Sequence, residues 1–217
     1  MRQPVKGTTE AGRRRESRAR DTRRRVIDAA VQLFLDRGYV ATTVQSIARA
    51  ADVAPATIYQ AFGTKHAILA AALDVTIAGD DASLAVLDRD WVADAGRETD
   101  PRRRLRLVVN GACQIAARTA RLKGVMRDAA ATEAAARDLI REDHKRRRRT
   151  HEGLVDLLIE TRPLRTGVDR RRAVDTFFAL VNSATYELLV SQQGWTVTKW
   201  QDWVADLIER DLFEEPS

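Results

Sequence analysis

Apolar residues recur along this chain at helical spacing, and strict alternation of apolar and polar residues is sustained nowhere. From Asp21 onward Val26, Ala30, Leu33, Phe34 and Arg37 fall on one helix face, with Gly38 at the position that ends it. Thr43 is a good N-cap for a second helix, whose buried stripe is Val44, Ile47, Ala48 and Ala51. Pro55 opens a short third helix that runs to about Ala61, with Ile58 and Phe62 turned inward. Thr64 caps a fourth, with Ile68, Leu69, Ala72 and Leu73 inward. The stretch 79–100 is acidic and irregular, and reads as a loop with one short helix. Asp100-Pro101 starts a helix whose buried face is Leu105, Val108, Val109, Ala112, Cys113 and Ala116, with a break expected near Lys123-Gly124. A long helix over about 132–160 and two final helices over about 169–191 and 197–212 complete an all-α pattern with short connections.

Composition narrows the picture. At 217 residues and 44% apolar content the chain is long enough for a sizeable core. A single cysteine, Cys113, excludes an internal disulfide framework and fits a reducing, cytoplasmic setting. The basic start lacks the apolar segment of a secretory signal, and no apolar run is long enough to span a membrane. Charge is unevenly spread. Residues 1–25 hold ten Lys/Arg against three Asp/Glu, so the remainder of a +6 chain is close to neutral. Residues 1–20 therefore read as a disordered basic arm, suited to a polyanion or simply to solubility.

The second and third helices are joined only by residues around Ala51-Asp52-Val53, a helix-turn-helix pattern. The sharp turn needs a residue that tolerates left-handed backbone near position 52, and Asp is one of the few side chains that does. Pro55 belongs at the first helical position, where its missing N–H costs nothing. Small side chains at the start of such a helix let its backbone approach base edges in a major groove, where Thr57 offers a methyl or a hydroxyl. Tyr59 is placed to reach a phosphate, as are Thr43 at the second helix start and Lys65 in the first turn of the fourth. Lys65 opposes the helix dipole there, which invites a compensating anion. The competing reading of the same residues is a plain three-helix core with a surface tyrosine and lysine.

The segment "RRRVIDAAVQLFLDRGYVATTVQSIARAADVAPATIYQAFGTKHAILAAALD" (23–74) resembles the DNA-binding domain of the TetR (tetracycline-repressor-like) transcriptional regulators. The matching features, in order, are A-x-x-L-F-x-x-x-G-Y, "TTVQSIA", "TIYQAF" and Thr64-Lys65. The resemblance implies double-stranded DNA as partner. It implies contacts from Thr43 and Gln45, from the recognition-helix residues Pro55, Ala56, Thr57 and Gln60, and from Tyr59 and Lys65 to phosphate. Asp52, Ala54 and Ala61 depart from the residues common in the family.

The expected organisation is an arm at 1–20, the DNA-binding domain at 21–66, and a helical ligand-binding and dimerisation domain at 67–217. For that last domain the expected partner is a second copy of the chain, through Phe177, Leu180, Ala184 and Leu188 on one helix and Trp200, Trp203 and Leu207 on the other. Polar groups interrupting apolar stripes suggest a pocket lined by Asn110, Cys113, Gln114, Asn182 and Tyr186, walled by Met126 and Phe178, for a small, largely apolar effector. His66, His144 and His151 lack a metal-ligand spacing, and no Gly-rich phosphate loop or nucleophile motif is present, so neither a metal, a cofactor nor catalysis is expected. The function expected is a ligand-responsive repressor on a palindromic operator. An architectural DNA-binding protein driven by the arm is the alternative.

Overall fold

The computed structural model describes residues 10–79 and 85–214. Among them the secondary structure is helical, apart from one isolated bridge between Leu164 and Phe213. The chain divides between Ala72 and Leu73, beyond the 66/67 boundary suggested by the sequence.

In the first unit α1 spans Glu10–Ala41 with a kink at Gly38, α2 spans Val44–Ala50, α3 spans Pro55–Phe62, and α4 (Lys65–Ala78) contributes its first two turns. Residues 10–20, expected to lack structure, are helical; the rest of the expected arm lies outside the described residues. The core is the set of stripes read from the sequence: Val26, Ala30, Phe34, Val44, Ile47, Ala48, Ile58, Ile68, Leu69 and Ala72 are buried. Leu33 and Phe62 are only half-buried and Arg37 is exposed. Thr42, fully buried, donates its hydroxyl to the carbonyls of Gly38 (2.8 Å) and Leu33 (3.1 Å), satisfying groups that the end of α1 leaves open.

The second unit adds a 3-10 turn (Val86–Asp88), α5 (Asp90–Arg97), α6 (Pro101–Thr132), α7 (Ala134–Ile159), α8 (Arg170–Leu180), α9 (Ser183–Tyr186) running into a π-helical turn (Glu187–Gln192), and α10 (Val197–Leu212). Asp100 caps α6 by accepting from the Arg103 N–H at 2.9 Å, with Pro101 at the first helical position. The break expected at Lys123-Gly124 does not occur. A mid-helix glycine costs about 1 kcal/mol, and here the flanking Leu122, Met126 and Ala129 are buried, which outweighs it. The helix expected over 169–191 instead breaks at Val181-Asn182, where Asn182 restarts it by accepting from the Ala184 N–H at 2.6 Å.

Arg104 holds α5, α6 and α7 together. Its buried guanidinium donates to the carbonyls of Gly96 (3.0 Å), Glu98 (2.9 Å) and Leu157 (2.9 Å) and pairs with Glu160 at 3.2 Å. These carbonyls lie at the C-terminal ends of α5 and α7, where helices leave acceptors open and carry partial negative charge. An arginine beside an apolar stripe was all that the sequence showed of this role.

Candidate nucleic-acid interface and cavity

The α2–α3 turn is made as its sequence requires. Asp52 adopts φ 53, the only positive φ among the described non-glycine residues. Thr43 caps α2 in a reciprocal box: its hydroxyl accepts from the Ser46 N–H at 3.0 Å, while Ser46 Oγ accepts from the Thr43 N–H at 3.0 Å. The N-terminus of α3 differs. Its N-cap is Ala54, which supplies no side-chain acceptor, and Pro55 follows. Pro55 has no N–H and the Thr57 N–H donates to the Ala54 carbonyl at 3.0 Å, so in this turn it is the Ala56 N–H that is left for an external acceptor. Around that end Pro55 and Ala56 are exposed, Thr57 is half-exposed, and Gln60 and Tyr59 (49% exposed) project outward. Thr43 and Gln45 are exposed at the start of α2. Ile58 alone of α3 is buried, so one residue ties the helix to the core while the rest of its first two turns faces solvent.

Lys65 does more than wait for an anion. Its ammonium donates to the Tyr39 carbonyl at 2.9 Å and lies 3.9 Å from the centre of the Tyr39 ring, which itself stacks on Phe34. The cation thus also ties the start of α4 to the end of α1. Arg23 was missed by the sequence reading. It sits over the Phe62 ring at 4.3 Å and donates to the Ala61 carbonyl at 3.4 Å, clasping the C-terminal end of α3. The basic run Arg23–Arg25 was the available signal.

The second unit encloses a cavity of about 460 Å³. None of the seven residues expected to line a pocket lines it. Asn110 and Gln114 are exposed on the outer face of α6. Cys113 lies in the core, as Met126 does in its stripe. Burial holds the Cys113 thiol up at a pKa of about 12, far from thiolate chemistry. Asn182 is spent as an N-cap, Tyr186 packs edge-on against Trp200, and Phe178 stands behind Arg147. The walls come instead from Ile77 and Ala78 of α4, from Ala112, Ile115 and Ala116 of α6, within two residues of the expected Cys113 and Gln114, from Leu154 of α7, and from Val181 at the helix break. The sequence pointed to α6 and to the segment after α8 but missed α4 and α7, and which stripe a helix turns inward is set by its neighbours.

The polar side of the cavity carries charged side chains, where a small, largely apolar effector was expected. Lys123 and Asp143, both buried, pair at 2.9 Å. Burial lowers the Lys123 pKa, with Asp143 working against that fall. Arg146 reaches Asp74 at 2.7 Å. Arg147 lies 3.7 Å from the centre of the Phe178 ring, and its buried Nε has no hydrogen-bond partner. His151, 5% exposed, packs edge-on against Phe177 and Phe178, and its Nδ1 is also unpartnered. Burial, with Arg147 and Lys123 nearby, holds its pKa down at about 3, so the ring is neutral.

The expected dimer residues divide. Phe177 and Trp200 are fully buried in the unit's own core and cannot face a second copy. Leu180, Trp203 and Leu207 are half-buried, Ala184 is exposed and Leu188 is 50% exposed.

The profile of the bacterial regulatory proteins, tetR family, matches residues 26–72. The HTH-type transcriptional regulator TcmR of Streptomyces glaucescens is 40% identical over 74 residues, 34% of this chain and 31% of that protein. The uncharacterized HTH-type transcriptional regulator YvkB of Bacillus subtilis is 44% identical over 54 residues, 25% of this chain and 29% of that one. These matches span about a third or less of either relative. The structure of the transcriptional regulator FadR from Bacillus subtilis in complex with stearoyl-CoA shares the fold over 85% of this chain and 96% of that chain, with a TM-score of 0.66 at 23% identity.

Proposed function

From the match of residues 26–72 to the tetR family of bacterial regulatory proteins, we propose that the chain is a cytoplasmic, sequence-specific DNA-binding transcriptional regulator, a homodimeric repressor released from a palindromic operator by a small molecule. The observation that carries this reading is the start of α3: a bare, proline-led N-terminus ringed by Ala56, Thr57, Tyr59 and Gln60. Backbone can approach base edges there closely, Thr57 and Gln60 reading bases and Tyr59 and Thr43 holding phosphates. Gln45 lies beside them at the start of α2. Residues 10–25, rich in arginine, add charge attraction to the duplex.

Two recognition helices about 34–36 Å apart would read half-sites one helical turn apart, which requires a second copy. The remaining dimer face is Leu188 and Ala184 with the half-buried Leu180, Trp203 and Leu207. The effector enters the cavity of the second unit. There it touches Asp74, Ile77 and Ala78 in the later half of α4, the helix whose first half belongs to the DNA-binding unit. Differential binding to two α4 settings is enough to shift DNA affinity. That FadR from Bacillus subtilis was solved in complex with stearoyl-CoA supports a ligand-binding regulator of this fold.

The test is a gel shift on the DNA upstream of the chain's own gene against a scrambled duplex at moderate salt. Preference for the native sequence is expected. Equal binding to both would leave a nonspecific, architectural DNA-binding protein instead.

A further inference from the structure

The cavity's charges do not balance. Lys123 is matched by Asp143 and Arg146 by Asp74, but Arg147 makes no hydrogen bond or ion pair to any described residue. Its guanidinium rests on Phe178, which contributes a π-face and no anion. Next to it His151 is almost fully buried, lines the same cavity, and has an unmatched Nδ1. A buried donor without a partner costs free energy that a ligand acceptor recovers. Most of the rest of the wall, including Ile77, Ile115, Ala116 and Leu154, is apolar, with the hydroxyls of Thr119, Thr150 and Ser183 among it.

We propose that this cavity binds an amphipathic monoanion, a compact carboxylate on an apolar body. The carboxylate is held by the Arg147 guanidinium and the neutral His151 ring, and the body lies among the apolar side chains of α4, α6 and α7. Three features select this chemistry. One uncompensated positive charge calls for one negative charge. A planar guanidinium presents paired N–H groups that match a carboxylate's two oxygens. The neutral imidazole, kept so by burial and by the two cations near it, adds polar contact without a second charge. A cationic head group would meet Arg147 and Lys123 across a poorly solvated space and be repelled.

This proposal rests on the cavity being the effector site of the reading above, but its test does not require DNA. Titration calorimetry on the full chain would compare decanoate, decanol and decylammonium, which share an apolar body. Decanoate is expected to bind roughly 10- to 100-fold more tightly than decanol, the value of a charge-assisted hydrogen-bonded pair in a partly buried site. Decylammonium is expected to bind most weakly. In Arg147→Gln, decanoate should fall to the level of decanol while decanol is unchanged. The proposal is overturned if decanol or decylammonium equals decanoate in the unaltered protein, if decanoate does not bind, or if Arg147→Gln weakens decanol as much. The comparison in the unaltered protein stands even if the variant fails to fold. A gel shift with the same compounds separates the two readings. Decanoate that binds without releasing DNA leaves this assignment intact and sinks the effector reading. Release by decanol, with no binding of decanoate, does the reverse.

Discussion

Asp52 stands in left-handed backbone at φ 53, a region that costs most side chains about 1–2 kcal/mol. The turn between α2 and α3 requires it, and Asp tolerates it better than a branched residue. Asp52→Gly is therefore expected to be neutral or to stabilise the first unit by up to about 1 kcal/mol, and Asp52→Val to destabilise it by about 1–2 kcal/mol, read by urea unfolding. Wild-type stability in the valine variant would show that the turn is not under this constraint. On the exposed side of α3, the phenol of Tyr59 is assigned to phosphate and Thr57 to bases. Tyr59→Phe should weaken binding to every duplex about equally, whereas Thr57→Ala should change the ranking of operator variants. A base preference altered by Tyr59→Phe would reverse these roles. Both residues were visible in the sequence, because a helix start built of small residues beside a lone tyrosine is a local pattern. The use of Lys65 and Arg23 as ring-capping clasps was not, since Tyr39 and Phe62 meet them only after the helices pack.

Elements carry constraints that single residues do not announce. A Cβ at Gly111 of α6 would lie 2.4 Å from the Trp91 ring of α5, so the absence of a side chain is what lets the indole lie against α6. Gly111→Ala should destabilise the second unit by about 1–3 kcal/mol even though alanine is the better helix former, because a packed ring has nowhere to move. Thermal unfolding that showed a stabilised variant would mean that Trp91 is not held there. The helix stripes were legible in the sequence, and α1 to α4 follow them closely. The continuity of α6 through Gly124 and the break at Val181-Asn182 were not. Local propensity favoured the opposite choice at both places, and burial of Leu122, Met126 and Val181 overrode it.

At the scale of the molecule, the buried neutral His151 couples stability to pH. Its folded pKa of about 3 lies below the ordinary value of 6.5, so between those limits the unfolded chain takes up a proton that the folded chain refuses. Stability contributed by the neutral ring is complete above about pH 6.5 and is lost as pH falls toward 3. Between pH 7 and pH 5 the loss is on the order of 2 kcal/mol. His151→Gln should flatten this dependence in unfolding titrations at the two pH values; an unchanged slope would place the proton uptake elsewhere. Association makes a separate demand. Leu188→Glu, at an exposed position, should shift the chain from dimer to monomer in sedimentation velocity while leaving its unfolding midpoint at low concentration nearly unchanged. Trp200→Ala, in the core, should instead cost about 3–5 kcal/mol of fold stability. A persistent Leu188→Glu dimer would move the two-fold face away from the π-helical turn that follows α9.

The sequence by itself determined α2, α3 and α4, the caps at Thr43 and Asp100, the left-handed turn at Asp52 and the exposed start of α3, because each is settled by contacts within a few residues. Only the tertiary structure decided the cavity and the face left for a partner. Phe177 and Trp200 share the apolar pattern of residues suited to a dimer seam, yet the neighbouring helices cover them. Arg147 sits in the basic run 145–149 and His151 lies just beyond it, yet the packing of α6 and α7 with Phe178 of α8 turns them into a polar wall. A helix records in its sequence which side is apolar. Which neighbour that side meets, and which charges are left without a partner there, depends on residues distant in the chain, so it appears only once the helices are packed.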